Sequence, residues 1–377
     1  MNEPRKPRRI RRWMLAMTLL LAASGIAAYA LAPGFGSMPD GTRLERLQRS
    51  PNFVDGEFRN PEPTELFTEP GARWDSLWTF FFASKEGMTP PRPLPMLKTD
   101  LKALDAQRDL VVWLGHSSYY MQLGGKRILI DPVFSAYASP VSFINAAFKG
   151  DYPYAAADMP AIDLLILSHD HWDHVDYPTL TALKEKVAAV VTPLGVGAHL
   201  EGWGYAPDRI RELDWYEHLA LTPEFTVHAV PARHFSGRGL RSNRTLWAGF
   251  MLETNGRRIY FSGDTGYGRH FADIGQRFGP IDLAIIENGQ YDKRWASMHI
   301  LPEQVAQAAE EVRAKTVLPA HLGRFPLANH AWDEPYRRLS EASRGRPYTL
   351  QTPRIGDIVE ISDTPQAFPS WWEEVSR

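Results

Sequence analysis

The hydrophobic pattern divides the chain into three parts. Residues 13–32 form one apolar run, broken only by Thr18, Ser24 and Gly25. About 20 such residues can cross a bilayer as a helix. Residues 33–104 are an extension rich in proline and aromatic residues, with little periodicity. Its one periodic stretch lies near 74–82, where Trp74, Leu77, Trp78 and Phe81 fall at i, i+3, i+4 and i+7 and Phe80 and Phe82 widen the apolar stripe. Residues 105–377 change character. Short apolar runs at 110–114, 127–130, 163–167, 188–191, 225–230, 258–261, 283–286 and 316–318 predict strands. Helices are predicted at 178–186 and 302–313, the second opened by Pro302 where a helix tolerates proline. Strands first, then strands mixed with helices, predict a layered α/β sandwich. Residues 334–377 read as a surface helix and a terminal strand or tail, with Trp371 and Trp372 covering core surface.

Charge gives the first run a direction. Arg5, Lys6, Arg8, Arg9, Arg11 and Arg12 precede it against the single acid Glu3, in a chain of net charge −2. Cationic flanks stay in the cytoplasm, so the remainder is expected on the other side. Residues 1–32 therefore read as a basic n-region followed by a signal peptide or a transmembrane anchor. Ala28-Tyr29-Ala30 has the small-x-small form of a cleavage site, and Arg11-Arg12 is compatible with twin-arginine export. The stripe near 74–82 either packs on the main domain or faces lipid, as amphipathic helices rich in Trp and Phe do.

Composition removes several chemistries. The balance of 44% hydrophobic and 23% charged residues is that of a globular protein, and the small net charge carries no footprint of nucleic-acid binding. There is no cysteine, so disulfides, thiolate metal sites and cysteine nucleophiles are excluded. Any metal must be held by imidazole and carboxylate, which suits zinc or another first-row divalent ion. No GxSxG elbow, P-loop or GxGxxG fingerprint is present.

The segment His169-Asp170-His171-Trp172-Asp173-His174 directly follows the strand at 163–167. Its four ligand-type side chains, His169, His171, Asp173 and His174, converge only if the chain turns sharply there. Such a cluster supplies at most half of a two-metal site. Three further candidates each follow a strand: His234, Asp264 in Ser262-Gly263-Asp264-Thr265-Gly266, and His321 in Pro319-Ala320-His321. Loops at one edge of a sheet are where function collects. Small residues around Asp264 permit close backbone approach. A plain polar turn is the competing reading of 169–174, but so many crowded ionisable groups desolvate badly without a cation.

An HxHxDH segment, a later His, a Gly-Asp pair and a final His, in this order, resemble the metallo-β-lactamase superfamily signature. The resemblance implies that superfamily's αβ/βα sandwich and two Zn2+ ions, with other first-row divalent metals as alternatives. It assigns His169, His171 and His234 to one metal, Asp173, His174 and His321 to the other, and Asp264 as the bridge. His116 in Gly115-His116-Ser117-Ser118 and Asp131 in Ile130-Asp131-Pro132 match positions near the metals. Asp131 reads as a carboxylate that orients a ligating imidazole, and His116 as the same or as a satisfied core residue.

The stretches Val112-Trp113-Leu114-Gly115-His116, Asp131-Pro132-Val133-Phe134-Ser135, Gly263-Asp264-Thr265-Gly266-Tyr267, 277–284, 291–302 and His321-Leu322-Gly323-Arg324-Phe325 go further. They resemble N-acylphosphatidylethanolamine phospholipase D and its bacterial relatives, over residues 50–345. This implies a dinuclear zinc phosphodiesterase. It would hydrolyse N-acylphosphatidylethanolamine-like phospholipids to phosphatidic acid and N-acylethanolamine by metal-hydroxide attack on phosphorus. Asp264 and Asp173 would tune the nucleophile. His299 would contact phosphate or protonate the leaving group, unless it is a surface residue before Pro302. The implied partners are a phospholipid or other phosphodiester and a membrane surface, and the implied location is the bacterial cell envelope, either anchored in the inner membrane or secreted to the periplasm. Two other readings stand beside it. One is a metal-dependent lactonase or soluble phosphodiesterase of the ascorbate-phosphate lactonase-like branch, which shares the Gly-His-Ser-Ser start. The other is a non-catalytic envelope protein that binds lipid or metal, which degenerate ligand positions would favour.

Overall fold

The computed structural model describes residues 13, 16–18, 20, 32–68, 71, 74, 75, 78, 79, 85–142, 144–239 and 241–377. The apolar run at 13–32 thus lies mostly outside the described residues. Among those described, no helix is long and apolar enough to cross a membrane.

Helix α1 (Gly41–Arg49) and a hairpin of β1 (Phe53–Val54) and β2 (Glu57–Phe58) come first. Two seven-stranded sheets follow. The first contains β3 (Leu110–Trp113), β4 (Tyr119–Leu123), β5 (Lys126–Ile130), β6 (Ile162–Ile166), β7 (Val187–Pro193) and β8 (Ile210–Leu213) in sequence order. The second contains β9 (His218–Thr222), β10 (Phe225–Val230), β11 (Gly249–Thr254), β12 (Arg257–Phe261), β13 (Ile281–Glu287), β14 (Ala314–Ala320) and β15 (Thr349–Leu350), again in order. The last strand, β16 (Ile358–Glu360), returns to pair antiparallel with β3. One apolar core joins the two sheets, with Leu129 and Ile166 from the first and Val227, Phe250 and Ile285 from the second. A second core lies where α4 (His270–Phe278), α5 (Pro302–Glu311) and α6 (Glu334–Ala342) cover the second sheet. On the first sheet, Leu180 and Leu183 come from the helix Tyr177–Leu183, here α2, and Leu200 from Gly197–Gly202, α3.

All eight expected strands are present, and so are both expected helices. Strands β4 and β11 are among those that the pattern did not mark. They are buried along nearly their whole length, so neither shows the alternation that marks a half-exposed strand. The terminal segment ends in α7 (Trp371–Ser376), whose Trp371 and Trp372 are buried and pack on Tyr336 at ring distances of 5.1 and 5.0 Å. The extension at 33–104 shares the main core through Leu47, Phe58, Leu94 and Leu101. Trp74 and Trp78 are 73% and 67% exposed, while Leu77 and residues 80–82 lie outside the described residues.

The topology prepares one sheet edge. Strands β5, β6 and β7 run parallel, as do β12, β13 and β14. Because β11 is antiparallel to both β10 and β12, β10 ends on the same side as β12. The segments leaving β10, β12, β13 and β14 therefore emerge at one end of the second sheet, and the segment leaving β6 meets them there, where Ser168 O accepts from Ala248 N at 3.0 Å.

Candidate metal centre

The segments leaving β6, β10, β12 and β14 carry all seven sequence-identified ligand residues to one place. His169, His171, His234 and Asp264 each offer an atom within 4.8 Å of the others. His116, Asp173, His174 and His321 form an adjoining group by the same measure. Asp264 belongs to the first group and reaches towards the second: its Oδ2 lies 3.8 Å from His169 Nε2 and from His234 Nε2, and 3.1 Å from His321 Nε2. Its Oδ1 lies 3.2 Å from His174 Nε2. Asp173 Oδ2 is 3.1 Å from His321 Nε2 and 3.5 Å from His174 Nε2.

Local backbone explains the aim of these groups. Gly263 has φ +60, and a Cβ there would meet Ala248 O at 2.7 Å, so glycine permits the turn that presents Asp264. His116 and His321 adopt φ of +53 and +62 and exchange backbone hydrogen bonds across their two loops. Left-handed conformations at non-glycine residues are held by surrounding structure and concentrate at functional sites.

The outward nitrogens are fixed by partners. His174 Nδ1 donates to Asp131 Oδ2 at 2.7 Å. Ser168 Oγ donates to the same carboxylate and lies 2.9 Å from His169 Nδ1. His234 Nδ1 donates to the Met298 carbonyl at 3.1 Å. His321 Nδ1 faces Glu287 Oε1 at 3.0 Å. Each of these contacts leaves Nε2 turned inward. Asp131 thus bonds directly to His174, one of the candidate ligands. His116 is fully buried, with Nε2 2.9 Å from Asp173 Oδ2.

Electrostatics fit a cation. Burial pushes His169 and His234 well below the ordinary histidine value, and His116 down to about 3. Burial also opposes charge on Asp173 and Asp264, yet the surrounding imidazoles hold both well below the usual carboxylate range. His321 is pushed up to about 10: burial works against its charge, and Asp264, Asp173 and Glu287 outweigh it. His169 Nε2 and His171 Nδ1 are 2.9 Å apart, and His234 Nε2 is 3.3 Å from the same His171 atom. His169, His171 and His234 are held towards the neutral form by burial, and their converging nitrogens beside buried carboxylates are the donor set of a divalent metal. His174 Nε2 and Asp264 Oδ1 are buried without a hydrogen bond, which a metal ion would satisfy.

His299 joins the site. It lines a cleft of about 140 Å³ with His171, Asp173, Asp264 and His321. Trp295 and Leu327 stand on this cleft and also on a cavity of about 1600 Å³, which Phe67, Met88, Phe148 and Trp332 help line.

Three residues went unread in the sequence. Glu287 ends β13 and bonds to His299 and His321. The signal was a carboxylate closing the apolar run 283–286 at the edge where the other ligands emerge. Asp170, inside the ligand segment, accepts from Gly237 N and Thr245 Oγ1 and lies 3.3 Å from His199. Arg238 is buried, donates to the carbonyls of Asp170, Val175 and Gly34, and stacks 4.0 Å from Trp172. Neither Asp170 nor Arg238 carries a motif that would have marked it.

Residues 126–322 match the model of a β-lactamase superfamily domain. The outer membrane protein RomA of Klebsiella pneumoniae is 59% identical over 113 residues, 30% of this chain and 86% of that protein. The N-acyl-phosphatidylethanolamine-hydrolyzing phospholipase D 1 of Caenorhabditis elegans is 33% identical over 269 residues, 67% of this chain and 75% of that enzyme. Among solved structures, a metallo hydrolase of the archaeon Ignicoccus hospitalis shares the fold with a TM-score of 0.51 at 20% identity, covering 67% of this chain and 97% of that one.

Proposed function

Since the chain belongs to the β-lactamase superfamily and is a metal-dependent hydrolase of that fold, we propose that it is a dinuclear zinc phosphodiesterase of phospholipase D type. Its substrates would be N-acylphosphatidylethanolamine-like phospholipids. The observation that carries this reading is the reach of Asp264 from one ligand group to His174 and His321 of the adjoining one, beside a cleft that borders a large, mainly apolar cavity.

His169, His171, His234 and Asp264 would hold one ion. Asp173, His174, His321 and Asp264 would hold the other. When bound, two such ions would supply Lewis acidity at phosphoryl oxygens and lower the pKa of a bound water. The chain's own residues do the rest. Ser168, Asp131, Met298 and Glu287 fix which nitrogen His169, His174, His234 and His321 present. Asp173 and Asp264 keep their negative charge within the site. His299 faces the cleft and delivers a proton to the departing oxygen. The oxygen of water joins phosphorus, the bond from phosphorus to the ethanolamine oxygen breaks, and N-acylethanolamine leaves with that proton as phosphatidic acid remains. The neighbouring cavity would take acyl chains. The apolar run at 13–32 and the exposed Trp74 and Trp78 would keep the enzyme at the lipid surface in the cell envelope.

The test is metal analysis together with a substrate panel. About two ions per chain are expected. Cleavage is expected for an N-acylphosphatidylethanolamine and for bis(p-nitrophenyl) phosphate, and not for a lactone or a β-lactam. Cleavage of the lactone alone would overturn the reading.

A further inference from the structure

Glu287 is fully buried at the end of β13. A carboxylate in such a position is costly unless every lone pair is used. Its Oε1 faces both His321 Nδ1, at 3.0 Å, and His299 Nδ1. Its Oε2 accepts from the backbone N–H of Thr265, the residue after Asp264. Its own N–H donates to Ser262 Oγ at 3.0 Å. One side chain therefore ties together the segments that leave β12, β13 and β14.

The consequence follows from imidazole geometry. A ring that donates from Nδ1 must present Nε2 on its far side. For His321 that atom lies 3.1 Å from Asp173 Oδ2 and 3.1 Å from Asp264 Oδ2. For His299 the ring borders the cleft beside His171 and Asp264. The two rings stack at 5.3 Å with planes 14° apart, as expected of two donors sharing one acceptor. We propose that Glu287 is a positioning residue that orients a metal ligand, His321, and the cleft histidine, His299, at once. Its effect on catalysis rests on the phosphodiesterase reading, whereas its effect on the two rings does not.

The test uses the full, zinc-loaded chain labelled with ¹⁵N-histidine. Imidazole NMR should show two exchange-protected Nδ1 protons hydrogen-bonded to a carboxylate and assignable to His321 and His299. Glu287→Gln should shift both and leave the zinc content unchanged. His299→Gln should remove one signal and leave that of His321, so the assignment stays testable even if Glu287→Gln does not fold. Turnover is then compared on two soluble phosphodiesters that differ in leaving group. Glu287→Gln should lose about 100-fold in kcat on an alkyl ester, which needs a proton donor, and less than about 10-fold on a p-nitrophenyl ester, with KM unchanged. Unchanged Nδ1 signals in Glu287→Gln, equal losses on both esters, or a third zinc ion that disappears with Glu287 would each overturn the proposal. Wild-type protein that shows both signals but cleaves neither ester would support the role of Glu287 and overturn the phosphodiesterase reading.

Discussion

Asp131 Oδ2 lies 2.7 Å from His174 Nδ1, and the same carboxylate accepts from Ser168 N at 2.8 Å. Asp131 thus fixes the tautomer of His174, a candidate ligand, and the start of the segment that carries it. Asp131→Ala should weaken metal binding about 10- to 100-fold, the usual cost of losing such a partner. It should also destabilise the fold by about 1–3 kcal/mol, because Ser168 N is left buried and unpaired. Competition with a chromophoric chelator and urea unfolding measure the two effects. Unchanged affinity would show that His174 holds its orientation without Asp131.

Arg238 makes a second prediction. Its guanidinium bonds to carbonyls on both sides of Trp172 and to Gly34, and it stacks on the Trp172 ring. The segment at 33–37 is further tied down by Trp203 Nε1 to Pro33 O and by Ser37 N to His199 Nδ1. Lysine keeps the charge and loses the planar fork. Arg238→Lys should cost about 2–4 kcal/mol, as a broken buried polar network does. Unfolding of the metal-loaded protein measures it, and a loss below about 0.5 kcal/mol, the range of ordinary surface changes, would refute the clamp.

How much of this was legible in the sequence depends on how each residue is specified. The seven candidate ligands stand in short motifs that each follow an apolar strand, so local pattern marked them as candidates and the family resemblance ordered them around two metals. Glu287 stands in no motif. It acquires meaning only through the parallel registers that set Glu287 opposite Ala320 and Phe261 opposite Ile285, which bring the ends of three strands together. Arg238 reaches a carbonyl 204 residues earlier in the chain, a relationship without any periodic trace. His299 was ambiguous from sequence between a surface position and the site, and its place on the cleft comes from the loop packed between Glu287 and His234.

The pH response of the metal-free protein carries a definite sign. His321 is pushed from 6.5 up to about 10: burial opposes this, while Asp264, Asp173 and Glu287 prevail. A raised value means the folded state holds that proton more tightly than the unfolded chain. Its contribution is complete below pH 6.5 and is lost as pH rises through about 10. Asp173 and Asp264 are depressed against burial by neighbouring histidines, so their contribution is present above the ordinary 3.8 and is lost in acid. Thermal melting of chelator-treated protein should therefore peak between these limits and fall towards alkaline pH. On the proposed dinuclear site a bound ion would take the place of the His321 proton, so the loaded protein should lack the alkaline decline. A metal-free protein that melts higher at about pH 9.5 than at about pH 6 would contradict the assigned electrostatics.

Leu327 stands where the 140 Å³ cleft meets the 1600 Å³ cavity. If acyl chains leave the cleft by that route, a charge at this position must be desolvated against hydrocarbon whenever a long-chain substrate binds. Leu327→Asp should then raise KM for a long-chain N-acylphosphatidylethanolamine about 10- to 100-fold, since burying an unpaired carboxylate costs a few kcal/mol even when water partly reaches it. A short, water-soluble phosphodiester needs only the cleft, and its kcat and KM should change less than about threefold. Zinc content should be unchanged, because Leu327 belongs to neither ligand group. Michaelis parameters for the two substrates, measured in mixed micelles and in free solution, decide it. Equal losses on both would place the effect on the metal centre, and no loss on either would mean the acyl chains lie elsewhere.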